Sequence, residues 1–365
     1  MKIKKIAESV WTKLVKRPRK FYTLSFALVV SFIVISTLFY INSYKEVRAK
    51  KGILAEDQLF PASDEEAYRN LDLRIAAKAH FDSVPLRKIN DLGISNGTDS
   101  SVISFQVPPD HLTEYGLMTI PATPKPKHGF PVIILCHGYV KPKAYSTYKA
   151  YLPDMKEYSQ HGFVVIKPDF RGQGLSIHSG SAEGAYYSMA YNTDVMSLIA
   201  AVKKTAYLDK TQISLWGHSM GAYIALRAAV LSPEVKDVIL LSGPVGSIQD
   251  MYRSYVPISD RTNPTAYNIR QSVLLRYGNP LTDLKFWADT SPLSYLDKLN
   301  ARVQIHVGDL DTVVPPKFSA DLNSGLNKAH KPHDYFVYLT GTHGLLNERP
   351  QIYSRSLQVL TNKSL

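Results

Sequence analysis

Ile213-Ser214-Leu215-Trp216-Gly217-His218-Ser219-Met220-Gly221-Ala222-Tyr223-Ile224-Ala225-Leu226 is the stretch on which the reading of this 365-residue chain turns. Its first residues are a short apolar run suited to a buried strand, and from Ala222 onward it is helical in period and composition. Between them Gly217-His218-Ser219-Met220-Gly221 has the Gly-x-Ser-x-Gly spacing of a sharp strand-to-helix turn with the serine at its apex. Such a turn holds the serine hydroxyl clear of the strand end, and glycines let the backbone pass where a side chain would clash. Met220 then presents its backbone N–H at a helix start, where N–H groups lack intrahelical partners and the dipole favours negative charge.

On both sides of this turn apolar runs alternate with helical stretches. Strands are expected at 130–135, 163–166, 212–216, 238–241, 303–307 and 335–339, and helices at 148–160, 189–206, 222–231, near 317–327 and at 351–361. Continuous Val/Ile/Leu runs alternating with helices predict an α/β fold, with a mostly parallel central sheet covered by helices on both faces. Before them, 102–107 and 115–121 flank Pro108-Pro109-Asp110 and read as paired antiparallel strands. Residues 246–290 break the alternation after a strand end; rich in Tyr, Arg, Pro and Asn, they read as a cap-like insertion over the site.

The chain holds 43 basic and 31 acidic side chains. Residues 1–51 contain 12 and 2 of these, leaving a nearly balanced 31 and 29. The basic excess is an N-terminal feature, and nucleic acid is not an expected partner of the folded part. Residues 1–20 read as a basic cytoplasmic tail. The uncharged stretch 21–41 is long enough, at about 1.5 Å per residue, to cross a bilayer core of about 30 Å. With tyrosines near its ends and no small-residue cleavage site after it, it is expected to be an uncleaved transmembrane anchor. Eight basic residues before it against four after it place the N-terminus in the cytoplasm and the remainder on the extracytoplasmic side. Residues 42–87 read as a juxtamembrane linker and helix, with Ser63-Asp64-Glu65-Glu66 as the N-terminal signal of a helix reaching Ala79. Residues 88–365 form the main domain. A single cysteine, Cys136, excludes an intrachain disulfide or a cysteine-rich metal site, and its apolar surroundings make it a small buried hydrophobe. No metal site or cofactor is expected.

A serine hydroxyl becomes a nucleophile when a base takes its proton and a third group orients that base. In a sheet of this kind the partners lie at the C-terminal ends of later strands, in the order acid and then histidine. Gly308-Asp309-Leu310-Asp311 follows one strand, and Thr340-Gly341-Thr342-His343-Gly344 follows the next. The expected catalytic set is Ser219, Asp311 and His343, with Asp309 holding the turn; His218, inside the elbow, and His330 and His333 are less well placed. Cys136-His137-Gly138-Tyr139, at the end of the first parallel strand, supplies the second oxyanion donor. The oxyanion hole is therefore expected from the backbone N–H groups of Tyr139 and Met220, with His137 structural.

These motifs, together with Pro168-Asp169-Phe170-Arg171-Gly172-Gln173-Gly174-Leu175-Ser176 and Ser291-Pro292-Leu293-Ser294-Tyr295-Leu296, resemble the α/β-hydrolase superfamily over residues 88–365. The finer features are similar to the catalytic domain of the prolyl oligopeptidase family and to related bacterial serine esterases. The resemblance implies an α/β-hydrolase fold with a small cap, and has Asp169 and Arg171 shape the loop beside the site. Prolyl oligopeptidases carry a β-propeller ahead of this domain, and a tyrosine where this chain has Cys136; the roughly 90 residues between anchor and sheet are too few for such a propeller. The expected activity is a membrane-anchored serine hydrolase cleaving a small-molecule carboxylic ester or related acyl bond. A peptidase on short peptides is the alternative, and a non-catalytic membrane-tethered scaffold the alternative from another class.

Overall fold

The first three strands, β1 (Arg87–Ser95), β2 (Thr98–Val107) and β3 (Leu112–Pro121), form an antiparallel meander. Strands β4 (Phe130–Cys136), β5 (Val164–Pro168), β6 (Leu208–His218), β7 (Val235–Leu241), β8 (Arg302–Gly308) and β9 (His333–Tyr338) then run parallel to one another. β3 joins the two groups by pairing antiparallel with β5, giving one sheet in the order β1-β2-β3-β5-β4-β6-β7-β8-β9. These elements belong to a computed structural model that describes residues 73–79, 81–178, 189–254, 274, 278–282 and 284–361. The basic tail, the apolar stretch 21–41, most of the linker and much of 246–290 lie outside the described residues. Among the described residues no helix is long and apolar enough to cross a membrane.

Helices cover both faces, as the continuous apolar strands demand. Val132, Ile134, Ile213, Leu215, Val238 and Ile305 point to the layer formed by α2 (Ala190–Lys204), α3 (Met220–Leu231) and α5 (Pro316–Lys328). Ile133, Leu135, Val165, Trp216 and Ile239 point the other way, to α1 (Leu152–Gln160) and α6 (Arg349–Leu360). A short helix, α4 (Leu284–Asp289), precedes the 3₁₀ segment Pro292–Lys298, and 248–254 is also helical within the expected insertion. β5 and β6 lie on opposite sides of β4, so the strand order reverses at β4. In open α/β sheets the crevice at such a reversal, beyond the strands' C-terminal ends, is where ligands bind.

Several boundaries differ from expectation for local reasons. The first helix starts at Leu152 and not near 148, because Tyr151 takes φ 58° and interrupts the turn before it, while Pro153 suits a helix start. β6 begins four residues early, its polar start Asp209-Lys210-Thr211 having no apolar signal. Of the helix expected to reach Ala79, the described part is one turn, Leu73–Ala76. Pro108–Asp110 forms a 3₁₀ turn between the paired strands β2 and β3.

Candidate active site

Ser219 stands between the last residue of β6 and the first of α3, with φ 54° and ψ −124°. A positive φ on a side-chain-bearing residue costs about 1–3 kcal/mol, whereas each buried Val, Ile or Leu of the surrounding strands contributes about 1.5–3 kcal/mol. The sheet therefore holds the strained turn easily. The Ser219 N–H donates to Leu241 O at 2.8 Å, tying the elbow to β7. Both flanking glycines are required by space: a Cβ at Gly217 would lie 2.6 Å from Ala222 Cα, and one at Gly221 would overlap Cys136 O.

Two hydrogen bonds join the expected catalytic set. His343 Nε2 lies 2.9 Å from Ser219 Oγ, and His343 Nδ1 lies 2.8 Å from Asp311 Oδ2. The other Asp311 oxygen, Oδ1, accepts from Val313 N–H at 2.8 Å and Val314 N–H at 2.9 Å. Burial pushes the Asp311 carboxyl up, but its bonds from His343 and from the two backbone N–H groups outweigh this and hold it below its ordinary range. Asp311 is thus an anion at neutral pH. It fixes the proton of His343 on Nδ1 and leaves Nε2 to accept from Ser219. The Asp311 side chain is fully enclosed, while that of His343 is 20% exposed.

The acid and base loops meet at two glycines. A Cβ on Gly308 would overlap Gly341 O, and Leu310 N–H donates to Gly341 O at 3.0 Å. Asp309, expected to hold the turn, faces solvent; its backbone N–H donates to Tyr338 O, and the turn's N–H groups go to Asp311.

On the other side of the serine, Cys136 at the end of β4 is in register with Gly217 of β6. This brings the loop carrying Tyr139 beside the elbow carrying Met220. Fully buried His137 donates from Nδ1 to Gly138 O at 2.8 Å, fixing the peptide plane to which the Tyr139 N–H belongs. Burial pushes His137 down to about 3, so the ring is neutral and structural.

The segment after β5 supports the same loop, a role the resemblance implies for Asp169 and Arg171. Asp169 accepts from Tyr145 Oη at 2.9 Å and from Thr147 Oγ1 at 2.5 Å, and Gln173 Nε2 donates to Val140 O at 2.9 Å. Buried Lys167, pushed down to about 8 by desolvation, donates to Thr147 O at 2.8 Å. Arg171 is ion-paired in the interior with Asp110 at 2.6 Å and Asp194 at 2.5 Å.

Sequence reasoning set His218 aside, yet the structure places it at the centre. Its Nδ1 lies 2.7 Å from Tyr151 Oη and its Nε2 2.9 Å from His343 O. Tyr151 had no sequence signal, its partner lying 67 residues away. Among the described residues no cluster of three or more His, Cys, Asp or Glu could hold a metal ion.

A family model described as serine aminopeptidase, S33, matches residues 128–282, a span that includes Ser219 but ends before Asp311 and His343. The human acylamino-acid-releasing enzyme is 23% identical over 237 residues, covering 62% of this chain and 30% of that protein. Among solved structures, the acetyl xylan esterase from Paenibacillus sp. R4 superposes with a TM-score of 0.59 at 16% identity, covering 80% of this chain and 94% of that one. Dipeptidyl peptidase 4 of Porphyromonas gingivalis gives a TM-score of 0.54 at 18% identity, over 73% of this chain and 36% of that one. The fold and these matches together define the class: the chain belongs to the α/β-hydrolase superfamily. It spans about a third of the length of the curated relatives named for peptidase activity.

Proposed function

We propose that this protein is a serine hydrolase that cleaves a carboxylic ester or related acyl bond through an acyl-enzyme. The observation that carries the reading is the Ser219–His343–Asp311 hydrogen-bonded series at 2.9 and 2.8 Å, with the serine on a strained elbow. Ser219 Oγ attacks the acyl carbon as its proton passes to His343 Nε2. Asp311 stabilises the imidazolium, and the N–H groups of Met220 and Tyr139 receive the oxyanion. His343 then gives its proton to the leaving oxygen. In the second half a water, deprotonated by His343, releases the acid and regenerates Ser219.

The acetyl xylan esterases among the similar solved structures support an ester substrate, and it is ranked ahead of a peptide because Cys136 stands where the resemblance has the peptidases' tyrosine. A short-peptide substrate is the second reading, supported by the family model and by the relatives' names. The discriminating experiment compares turnover of short-chain p-nitrophenyl esters with that of aminoacyl and dipeptidyl arylamides by the full-length protein. Turnover of esters at much the higher kcat/KM is expected, and preference for arylamides reverses the ranking. Turnover of neither moves the non-catalytic scaffold ahead.

The same proposal places the enzyme on a membrane, with residues 21–41 as a single anchor, 1–20 in the cytoplasm and the hydrolase domain outside. It is supported by the length of the uncharged stretch and by the charge asymmetry about it. Protease added to intact spheroplasts is expected to remove the domain and leave the anchor in the membrane. Protection until lysis refutes the orientation.

A further inference from the structure

Three hydrogen bonds run in series across the floor of the site. Gly138 N–H lies 3.0 Å from Tyr151 Oη, Tyr151 Oη lies 2.7 Å from His218 Nδ1, and His218 Nε2 lies 2.9 Å from His343 O. The first atom pair has only one possible donor, the peptide N–H, and the last has only one possible acceptor, the carbonyl. Tyr151 therefore accepts from Gly138, and His218 donates from Nε2 to His343 O. A neutral His218 takes the Tyr151 proton at Nδ1, whereas a protonated ring would donate to Tyr151 Oη from Nδ1 as well. Both arrangements keep all three contacts, and burial of the ring selects the neutral one.

The two ends of the series are functional loops. Gly138 belongs to the loop after β4 that carries the Tyr139 N–H, and His343 is the base after β9. Three strands, β6, β7 and β8, separate β4 from β9 in the sheet, and the series joins the loops that follow these two strands through His218, the residue before Ser219. The fit at the first link is close: a Cβ on Gly138 would lie 2.7 Å from Tyr151 Oη and 3.0 Å from His218 Nδ1. Tyr151 is held in place by its left-handed backbone and by its ring lying edge-on to Trp216, 6.0 Å between centroids.

We propose that Tyr151 and His218 are positioning residues that lock the oxyanion loop and the catalytic histidine into one geometry, so that both meet the same acyl carbon. Neither touches the reacting atoms. Burial, opposed by the bond to His343 O and by Asp311, pushes His218 down to about 4, which leaves the ring neutral at neutral pH and so accepting from Tyr151.

The kinetic part of the test rests on the acyl-transfer reading; the spectroscopic part does not. Tyr151→Phe removes one hydroxyl and keeps the ring, while His218→Gln keeps a donor for His343 O and loses the acceptor for Tyr151. A displacement of reacting groups by about 1 Å costs up to about a hundredfold. Each variant is accordingly expected to lower kcat on a p-nitrophenyl ester by roughly 10- to 100-fold, with KM within about threefold of wild type. The double variant should be no slower than the slower single, because one broken link already uncouples the loops. Effects that multiply, or kcat within twofold of wild type in both folded single variants, overturn the inference. Independently, ¹⁵N-histidine NMR of the full-length wild-type protein should show His218 as the Nε2–H tautomer from about pH 6 to about pH 9. A neutral Nδ1–H tautomer there, which cannot donate to His343 O, overturns it even if the protein proves inactive. An inactive wild type with the expected tautomer removes the acyl-transfer reading and leaves the hydrogen-bonded series standing.

Discussion

Replacing Asp311 with Asn changes one oxygen for an amide nitrogen, and the surroundings decide which way the amide turns. Asp311 Oδ1 accepts two backbone N–H groups, from Val313 and Val314, and Oδ2 accepts one N–H from His343. If the amide nitrogen faced the two backbone donors, both would be left unsatisfied where the side chain is sealed from water, at about 1–3 kcal/mol each. If it faces His343, all contacts are kept, provided the imidazole moves its proton from Nδ1 to Nε2. The second orientation wins on that arithmetic. It is the catalytically wrong one, since Nε2–H can no longer accept the proton of Ser219. The loss expected of a wrong tautomer is about 10⁴-fold in kcat, or about 5 kcal/mol of transition-state stabilisation. Initial rates on a p-nitrophenyl ester measure it, with thermal unfolding as a control that the fold is intact. A folded Asp311→Asn protein within tenfold of wild-type kcat would refute the assignment of Asp311 as the orienting acid.

Two further outcomes concern stability. His137, His218 and His306 are buried and are pushed down to about 3, 4 and 3, so the folded state binds no proton there at pH 5 while the unfolded chain, titrating near 6.5, does. Stability from these groups therefore falls as pH drops from about 6.5 towards 4, at about 1.4 kcal/mol per pH unit for each; urea unfolding of His306→Asn between about pH 5 and 6 should show a slope shallower by one such step, and an unchanged slope refutes it. Arg171→Leu leaves Asp110 and Asp194 buried without their shared cation and should cost about 3–5 kcal/mol, measured by chemical denaturation; a loss under about 1 kcal/mol contradicts the burial of that ion pair.

The parts of the site that the sequence made legible are those fixed by position along the chain. Ser219 lies between a strand and a helix, and Asp311 and His343 each follow an apolar run, so strand ends alone bring them to one edge of the sheet. The tie between Gly138 and His343 was not legible, because it depends on what packs across that edge. Tyr151 reaches His218 only because its own φ of 58° stops the helix from starting earlier, and nothing in the local sequence announces a positive φ at a tyrosine. The sequence offered two acids at one strand end with separate tasks, but the structure puts both contacts on one: Asp311 faces His343 and also accepts the turn's N–H groups expected of Asp309. β1 shows the limit of periodicity from the other side. All its residues are exposed, so it has no apolar stripe, and only its ladder with β2 marks it as a strand.

Whether Ser219 is an activated nucleophile is read out by active-site labelling. A fluorophosphonate probe applied to the full-length protein, followed by peptide mass spectrometry, should place the adduct on Ser219. Ser219→Ala should abolish labelling without loss of folding, and His343→Ala should slow it by orders of magnitude. An adduct on another residue, or labelling that survives in Ser219→Ala, would contradict the account.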